Sequence, residues 1–264
     1  MPDNDFLDLT GRTVLVTGGG QGVGRAVSLL CADHGASVVV NDYHQDRAEA
    51  VAKEITAAGG TALPIQCDVT RLDDVTAMVE QSKTQLGGID VLVNNAGNAG
   101  PAEDPLAVTP PFWETGPEEW EPWIGTNFYG VLNAARAVLP GMVEQEYGRV
   151  ITVISDAGRV GEPNLAVYGG AKAGAAGFSR GLAKAVGRYG ITANCVALST
   201  IDTPGVASAL ADPEVVRKAL RNYVIRRFGE PNDPARVVLF LASEAGAWIT
   251  GQTYPVNGGY AISA

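Results

Sequence analysis

The sequence predicts an α/β protein built on a doubly wound parallel sheet of about seven strands with helices on both faces. Three observations carry that prediction. Short apolar runs of β-formers recur at 13–17, 37–41, 61–66, 90–94, 149–155, 192–198 and 253–256. Helix-like stretches separate them near 22–34, 45–58, 72–86, 118–145, 165–188 and 206–241, the last read as two helices. Strands alternating with helices imply parallel pairing through crossovers. Finally, the first run feeds a glycine-rich turn and the second ends on an acid.

The first run, Thr13 to Thr17, suits a strand buried on both faces. Gly18, Gly19, Gly20, Gln21, Gly22, Val23 and Gly24 follow it, and a helix-like stretch begins at Arg25. Strand, glycine turn and helix form the context of a dinucleotide fingerprint. Glycines let the backbone approach a pyrophosphate, and the helix N-terminus supplies N–H donors and a positive dipole end. With 33 glycines in the chain, such pairs also punctuate ordinary loops, so the strand–helix placement is what carries the reading. The spacing Thr17-Gly18-x-x-x-Gly22-x-Gly24 differs from the commoner G-x-G-x-x-G. Asp42 closes the second strand about twenty residues later, where an acid can bind an adenosine ribose. A Rossmann-like sheet carrying NAD or NADP is the expectation.

Tyr168 and Lys172 stand four residues apart in a helix-like run, with Ser155 thirteen residues before the tyrosine at a strand end. Residues four apart share a helix face, so the Lys172 ammonium is expected beside the Tyr168 phenol. A nearby cation favours phenolate and lowers a tyrosine pKa from its ordinary ~10. A phenol tuned in this way exchanges a proton with an alcohol or ketone. The Ser155 hydroxyl can hold the substrate oxygen while its charge changes. By itself the pair fits a solvated helix face equally well. Gly18, Asp42, Asp68, Asn95, Ser155 and Thr203 fall at or just after strand ends, where ligands bind in such sheets.

Thr17-Gly18-x-x-x-Gly22-x-Gly24, Asn94-Asn95-Ala96-Gly97, Asn127, Ser155, Tyr168 and Lys172, in that order, resemble the motif set of the short-chain dehydrogenase/reductase family. Asp68-Val69 and the ending Ile249-Thr250-Gly251-Gln252 with Val256-Asn257-Gly258-Gly259 are similar to the family as well. The resemblance runs from about residue 9 to 260. It implies an oxidoreductase that moves hydride between a nicotinamide and a secondary alcohol or ketone. Ser155, Tyr168, Lys172 and Asn127 would then be catalytic, Asn127 by holding a water that relays protons to the lysine. Gly18, Gly20, Gln21, Gly22, Val23, Gly24, Asp42, Asp68 and Val69 would bind cofactor. Asn95, Ala96 and Gly97 would flank the adenosine ribose. Tyr168 and Lys172 would lie beside the nicotinamide ribose, and Ile201 and Thr203 would contact the carboxamide. Two departures stand out: Leu198-Ser199 replaces the family's Pro-Gly, and the stretch between Gly97 and Asn127 is longer than usual.

Cofactor choice turns on Asp42. A carboxylate there accepts from the ribose hydroxyls of NAD and repels the 2′-phosphate of NADP. Arg47, the nearest positive charge, is expected to face away along the next helix, so NAD(H) is expected over NADP(H). The competing classes are a catalytically silent nucleotide-binding sensor or scaffold, an isomerase or dehydratase on the same fold, and an NADP(H)-dependent carbonyl reductase. The complete trio argues against a scaffold.

The chain of 264 residues has no linker or charge block, so a single domain over 1–264 is expected. Lysine and arginine total 19 against 29 acids, a net charge of −10 that argues against nucleic acid or an anionic membrane. Cys31, Cys67 and Cys195 read as small buried hydrophobes, and His34 and His44 do not make a metal site. The acidic start at Asp3 and Asp5 is unlike a secretion signal, so the expectation is cytoplasmic. The partners expected are a small-molecule substrate and further copies of the chain, as tetramer or dimer.

Substrate-side loops are expected at about 98–123 and 198–222. The first is rich in proline, which rules out a continuous helix. Trp120 is read as core, while Phe112 and Trp113 are expected to form a lid selecting a hydrophobic or cyclic substrate or a 3-oxoacyl thioester. Packing against a neighbouring subunit is the alternative for that loop. Asp156 and Glu162 could meet a polar or cationic group, and Arg159 an anion, or all three could be solvated loop charges. The glycines between Tyr168 and Gly177 are too many for helix propensity, so that helix is expected to pack closely, at a subunit interface or inside the chain.

Overall fold

Continuous burial along the central strands sets the architecture, because each strand sends successive side chains to opposite layers and both are covered. The computed structural model describes residues 6–98, 110–206 and 212–262. Its strands are β1 (Thr13–Val16), β2 (Ser37–Asp42), β3 (Thr61–Gln66), β4 (Val91–Asn94), β5 (Gly148–Ser155), β6 (Ile191–Leu198) and β7 (Thr253–Val256). They form one parallel sheet in the order β3-β2-β1-β4-β5-β6-β7. All seven runs expected from the sequence are strands in it.

The helices are α1 (Gly22–Asp33), α2 (Gln45–Ala57), α3 (Leu72–Leu86), α4 (Pro117–Ile124), α5 (Gly130–Glu144), α6 (Ala157–Val160), α7 (Ala166–Val186), α8 (Pro213–Ala219) and α9 (Asn232–Ala242). One core layer joins Val14, Val16, Val91 and Val93 to Val27 of α1, Ile55 of α2 and Leu241 of α9. The other joins Leu15, Val39 and Leu92 to Met78 of α3, Met142 of α5 and Leu182 of α7. The strand order reverses between β1 and β4, and a crevice for ligands opens at the strand ends of such a switch.

Two elements differ from the sequence pattern in ways that matter for the site. The expected helix over 118–145 is interrupted by a π-helical turn, Gly125–Tyr129, between α4 and α5. Such insertions occur frequently at functional sites. Pro117 opens α4, where no N–H is needed, but Pro122 lies inside it. In α7 the glycines serve close packing within the chain: a Cβ on Gly169 would lie 2.7 Å from the Ala157 carbonyl oxygen of α6. Gly170 and Gly181 meet nothing within 4 Å among the described residues, so an outer face of α7 remains open.

Candidate active site

The glycine turn is held by side chains at the end of β4. Thr17 Oγ1 donates to the Val93 carbonyl and accepts from the N–H groups of Asn95 (3.0 Å) and Ala96 (3.1 Å). Asn95 Nδ2 returns the contact, donating to the carbonyls of Thr17 and Gly18 at 3.0 Å each. Asn95 thus braces the turn as well as standing beside it. A Cβ on Gly24 would fall 2.0 Å from Gly18 O and 2.5 Å from Asn95 Nδ2, so no larger residue fits there. Asp42 is buried, its Oδ2 accepting from Gly20 N (3.1 Å) and its Oδ1 from His44 N (3.0 Å). Asp68 Oδ1 accepts from both the N–H and the hydroxyl of Thr70, fixing the turn after β3.

These strand ends enclose a cavity of about 630 Å3. Its walls include Gly18, Gln21, Gly22 and Val23 from the turn, Asp42 from β2, Asp68 and Val69, Asn95 to Gly97, and Thr203. Gly20 and Gly24 shape it from behind through the contacts just described. Ile201 does not line it: the side chain is buried in the core and the backbone pairs with Gly229. One expectation is corrected here. Arg47 does not face away; it lines the cavity with Asp42 and His44, and no ion pair engages it among the described residues. The first turn of α2 brings it back toward Gly20, whose Cβ position lies 2.6 Å from Arg47 Cβ. Sequence spacing did not reveal that return.

The trio lies next to this cavity: Lys172 Nζ stands 3.3 Å from the Cβ position of Gly97 in its wall. Ser155, the last residue of β5, accepts from Ala157 N (3.2 Å) and lies by the Tyr168 phenol, whose pKa its hydroxyl pulls down. Lys172 is buried, and its Nζ donates to the Val153 carbonyl at 3.0 Å. Burial pulls its pKa down to about 8. The expected lowering of the Tyr168 pKa is reversed. Burial pushes it up, against a smaller downward pull from Ser155. Lys172 Nζ stands 5.9 Å from the Tyr168 ring centre and spends its hydrogen bond on β5, so the two share a face without direct pairing.

Asn127 sits in the π turn, which compensates for an asparagine inside a helix. Its Nδ2 donates to the Trp123 carbonyl (2.9 Å) and to Asn98 O (2.9 Å) and Oδ1 (3.1 Å). Its Oδ1 is buried without a partner among the described residues. A Cβ on Gly97 would lie 3.0 Å from this oxygen and 3.3 Å from Lys172 Nζ, so both groups converge above Gly97. An orphaned amide oxygen beside an ammonium, a glycine cradle and a buried ribose-end carboxylate fit a dinucleotide cofactor.

Several expected substrate groups are otherwise engaged. Asp156 is buried, bonded to Arg159 and, at 2.7 Å, to Asn257 Nδ2. Both acid and arginine are thus tied within the protein, and neither is a solvated loop charge. Glu162 accepts from the Tyr260 hydroxyl and raises that phenol's pKa to about 12. At the departure from Pro-Gly, Leu198 O accepts from Asp156 N (2.8 Å) and Ser199 Oγ donates to Asn257 O (3.3 Å). Trp120 is not core: it is half-buried, with Nε1 donating to Thr115 Oγ1 and its ring stacked on Phe112 at 5.3 Å. Trp123, which the sequence did not single out, is the buried tryptophan, and its ring meets Tyr168 at 6.0 Å. Trp113 is 81% exposed, and residues 99–109 of this connection lie outside the described residues.

Fold and site together define a hydride-transferring oxidoreductase acting on CH–OH or keto groups. A family model described as Enoyl-(Acyl carrier protein) reductase matches residues 18–261. The 3-oxoacyl-[acyl-carrier-protein] reductase FabG of Staphylococcus epidermidis is 39% identical over 94% of this chain and 98% of its own length. A solved short-chain type dehydrogenase/reductase from Mycobacterium marinum superposes with a TM-score of 0.89 at 32% identity, covering 98% of this chain and 99% of that one. A 3-oxoacyl-[acyl-carrier protein] reductase with bound NAD from Brucella melitensis does so with a TM-score of 0.87 at 32% identity, over 99% and 97%. The chain belongs to the short-chain dehydrogenase/reductase family.

Proposed function

We propose that the protein is an NAD(H)-dependent reductase of a 3-oxoacyl thioester or a similarly apolar ketone, with Tyr168 as its acid. The observation that carries this reading is the meeting of Ser155, at the end of β5, with the Tyr168 phenol whose pKa it pulls down, beside buried Lys172, which approaches Gly97 of the dinucleotide cavity. A nicotinamide bound there supplies or accepts the hydride. In reduction, Tyr168 gives its phenol proton to the carbonyl oxygen, and the Ser155 hydroxyl donates to that same oxygen as its negative charge develops. A phenol whose pKa is raised is protonated at neutral pH, which suits the reductive direction. The convergence of Asn127 Oδ1 and Lys172 Nζ above Gly97 suits a water that returns a proton toward Tyr168.

The thioester reading is supported by the named activity of the Staphylococcus and Brucella relatives and by the apolar aromatics on the 112–123 side of the cleft. Asp42 favours NAD(H), while Arg47 in the same cavity narrows that preference by offering a cation to a 2′-phosphate. The open outer face of α7 suits a second copy of the chain, so a dimer or tetramer is part of the proposal.

The test is direct: purified protein is mixed with NADH or NADPH and a panel comprising acetoacetyl thioesters, cyclic ketones and sugar acids. Consumption of reduced nicotinamide should be fastest with the thioester and NADH. Turnover confined to sugar acids would refute the substrate class, and a strong preference for NADPH would refute the cofactor.

A further inference from the structure

The catalytic tyrosine sits where its own helix restrains it least. Tyr168 is the third residue of α7, in a first turn that receives no side-chain cap. Gly169 packs on Ala157 and holds the backbone of this turn, but Gly170 meets nothing within 4 Å among the described residues, so neither neighbour orients the ring. The N-terminal turn of a helix has unpaired N–H groups and frays more readily than its centre. A tyrosine ring can also rotate within a broad, two-fold χ2 well. Ser155 meets only the hydroxyl tip of this ring, and Lys172 Nζ stands 5.9 Å from its centre.

A further restraint comes from another helix. Trp123 is buried, and its indole approaches the Tyr168 ring at 6.0 Å between centres with an interplanar angle of 66°, an edge-to-face contact. Its platform is anchored at both ends. Glu119 Oε2 accepts from Gly116 N at the start of α4 (2.9 Å), and Trp120 Nε1 donates to Thr115 Oγ1 (2.8 Å). At the other end the Trp123 carbonyl accepts from Asn127 in the π turn.

We infer that Trp123 is a positioning residue for catalysis: held in α4, its indole edge fixes the orientation of the Tyr168 ring, so that the phenol meets Ser155 and the substrate oxygen together. The inference rests on the reading of Tyr168 as the acid. It gives α4 a role in proton transfer although none of its side chains reaches the reacting atoms.

Leucine and phenylalanine at position 123 separate this role from mere filling of the core. Trp123→Leu keeps an apolar side chain but loses the aromatic edge, whereas Trp123→Phe keeps the edge. Trp123→Leu should lower kcat roughly tenfold, the scale expected when a catalytic group is held slightly out of place. KM for the ketone and the Kd for NADH, measured by fluorescence titration, should stay within about twofold, and Trp123→Phe should recover most of the rate, as expected for a contact made by the ring. In a Tyr168→Phe background, Trp123→Leu should cost nothing further, because two residues acting through one hydroxyl are not additive. Wild-type kcat in folded Trp123→Leu overturns the inference. So does an equal loss in Trp123→Phe with an unchanged melting temperature, or a full additional loss in the Tyr168→Phe background. Should Tyr168→Phe itself retain full activity, the acid assignment fails instead.

Discussion

The two ends of the crevice are built by different means. At the cofactor end, backbone groups and short side chains from adjacent strand ends do the work: Thr17 and Asn95 lock the glycine turn, and Asp42 takes the N–H of Gly20. At the substrate end, side chains meet side chains. Asp156 holds Asn257 across 101 residues, Glu162 holds Tyr260 across 98, and Trp123 meets Tyr168 across two helices. The first end is specified by backbone geometry at adjacent strand ends. The second depends on side-chain packing and is free to vary with substrate.

The largest break in this comparison is expected at Tyr168. Tyr168→Phe keeps the ring and removes the proton, so turnover should fall by ~10²–10⁴, while NADH affinity, set at the other end, changes little. Single-turnover assays alongside cofactor titration measure both. A parallel loss of affinity would mean that the two ends are not separable.

At the cofactor end, Asp42→Ser should shift the NAD:NADP ratio of kcat/KM toward NADP by more than about tenfold, because Arg47 then faces a 2′-phosphate with no carboxylate beside it. Arg47→Ala should move the ratio the other way. Steady-state kinetics with both cofactors checks each, and an unchanged ratio in both variants would remove this corner from cofactor choice.

Lys172 joins the two ends and carries a signature in stability. Burial lowers its pKa to about 8 from 10.5, so between those values the unfolded chain binds more proton than the folded one. Stability therefore rises with pH across that window, by at most about 1.4 kcal/mol per pH unit. The penalty of burying the charge is fully present below pH 8. Lys172→Met should accordingly gain stability relative to wild type at pH 7 and lose that advantage by pH 10, as read by urea titration of cofactor-free protein. A difference independent of pH would contradict the burial argument.

The smallest effect is expected at the rim. Phe112 is half-exposed on Trp120 and Trp113 projects outward. Replacing both by alanine should raise KM for bulky substrates about three- to tenfold, matching the loss of partly buried apolar area, and leave NADH affinity alone. Kinetics across a chain-length series, with the oligomeric state monitored, tests whether this segment covers substrate or packs between subunits.

Much was legible without coordinates. Alternating apolar runs and helix-like stretches yield seven strands in the right places, since burial on both sheet faces demands continuous β-branched sequence. The glycine turn, Asp42, Asn95, Ser155, Tyr168 and Lys172 could be read as candidates because each is tied to a strand end or a helical repeat. Trp120 is read from the sequence as core where Trp123 is the buried one, because both lie on α4 and only the packing of α4 on α7 decides which faces inward.

The sequence by itself determined the sheet and pointed to candidates for the reactive groups, which follow from local periodicity and short spacing. Only the tertiary structure decided their electrostatic state. Four-residue spacing puts Lys172 and Tyr168 on one face, yet burial raises the phenol's pKa and lowers the ammonium's, because desolvation outweighs a charge that is already bonded to Val153. It also decided that Arg47 turns into the cavity and that Asp156 is buried against Asn257 and Arg159. Direction and burial are properties of the assembled layers, and no spacing along a single chain segment encodes them.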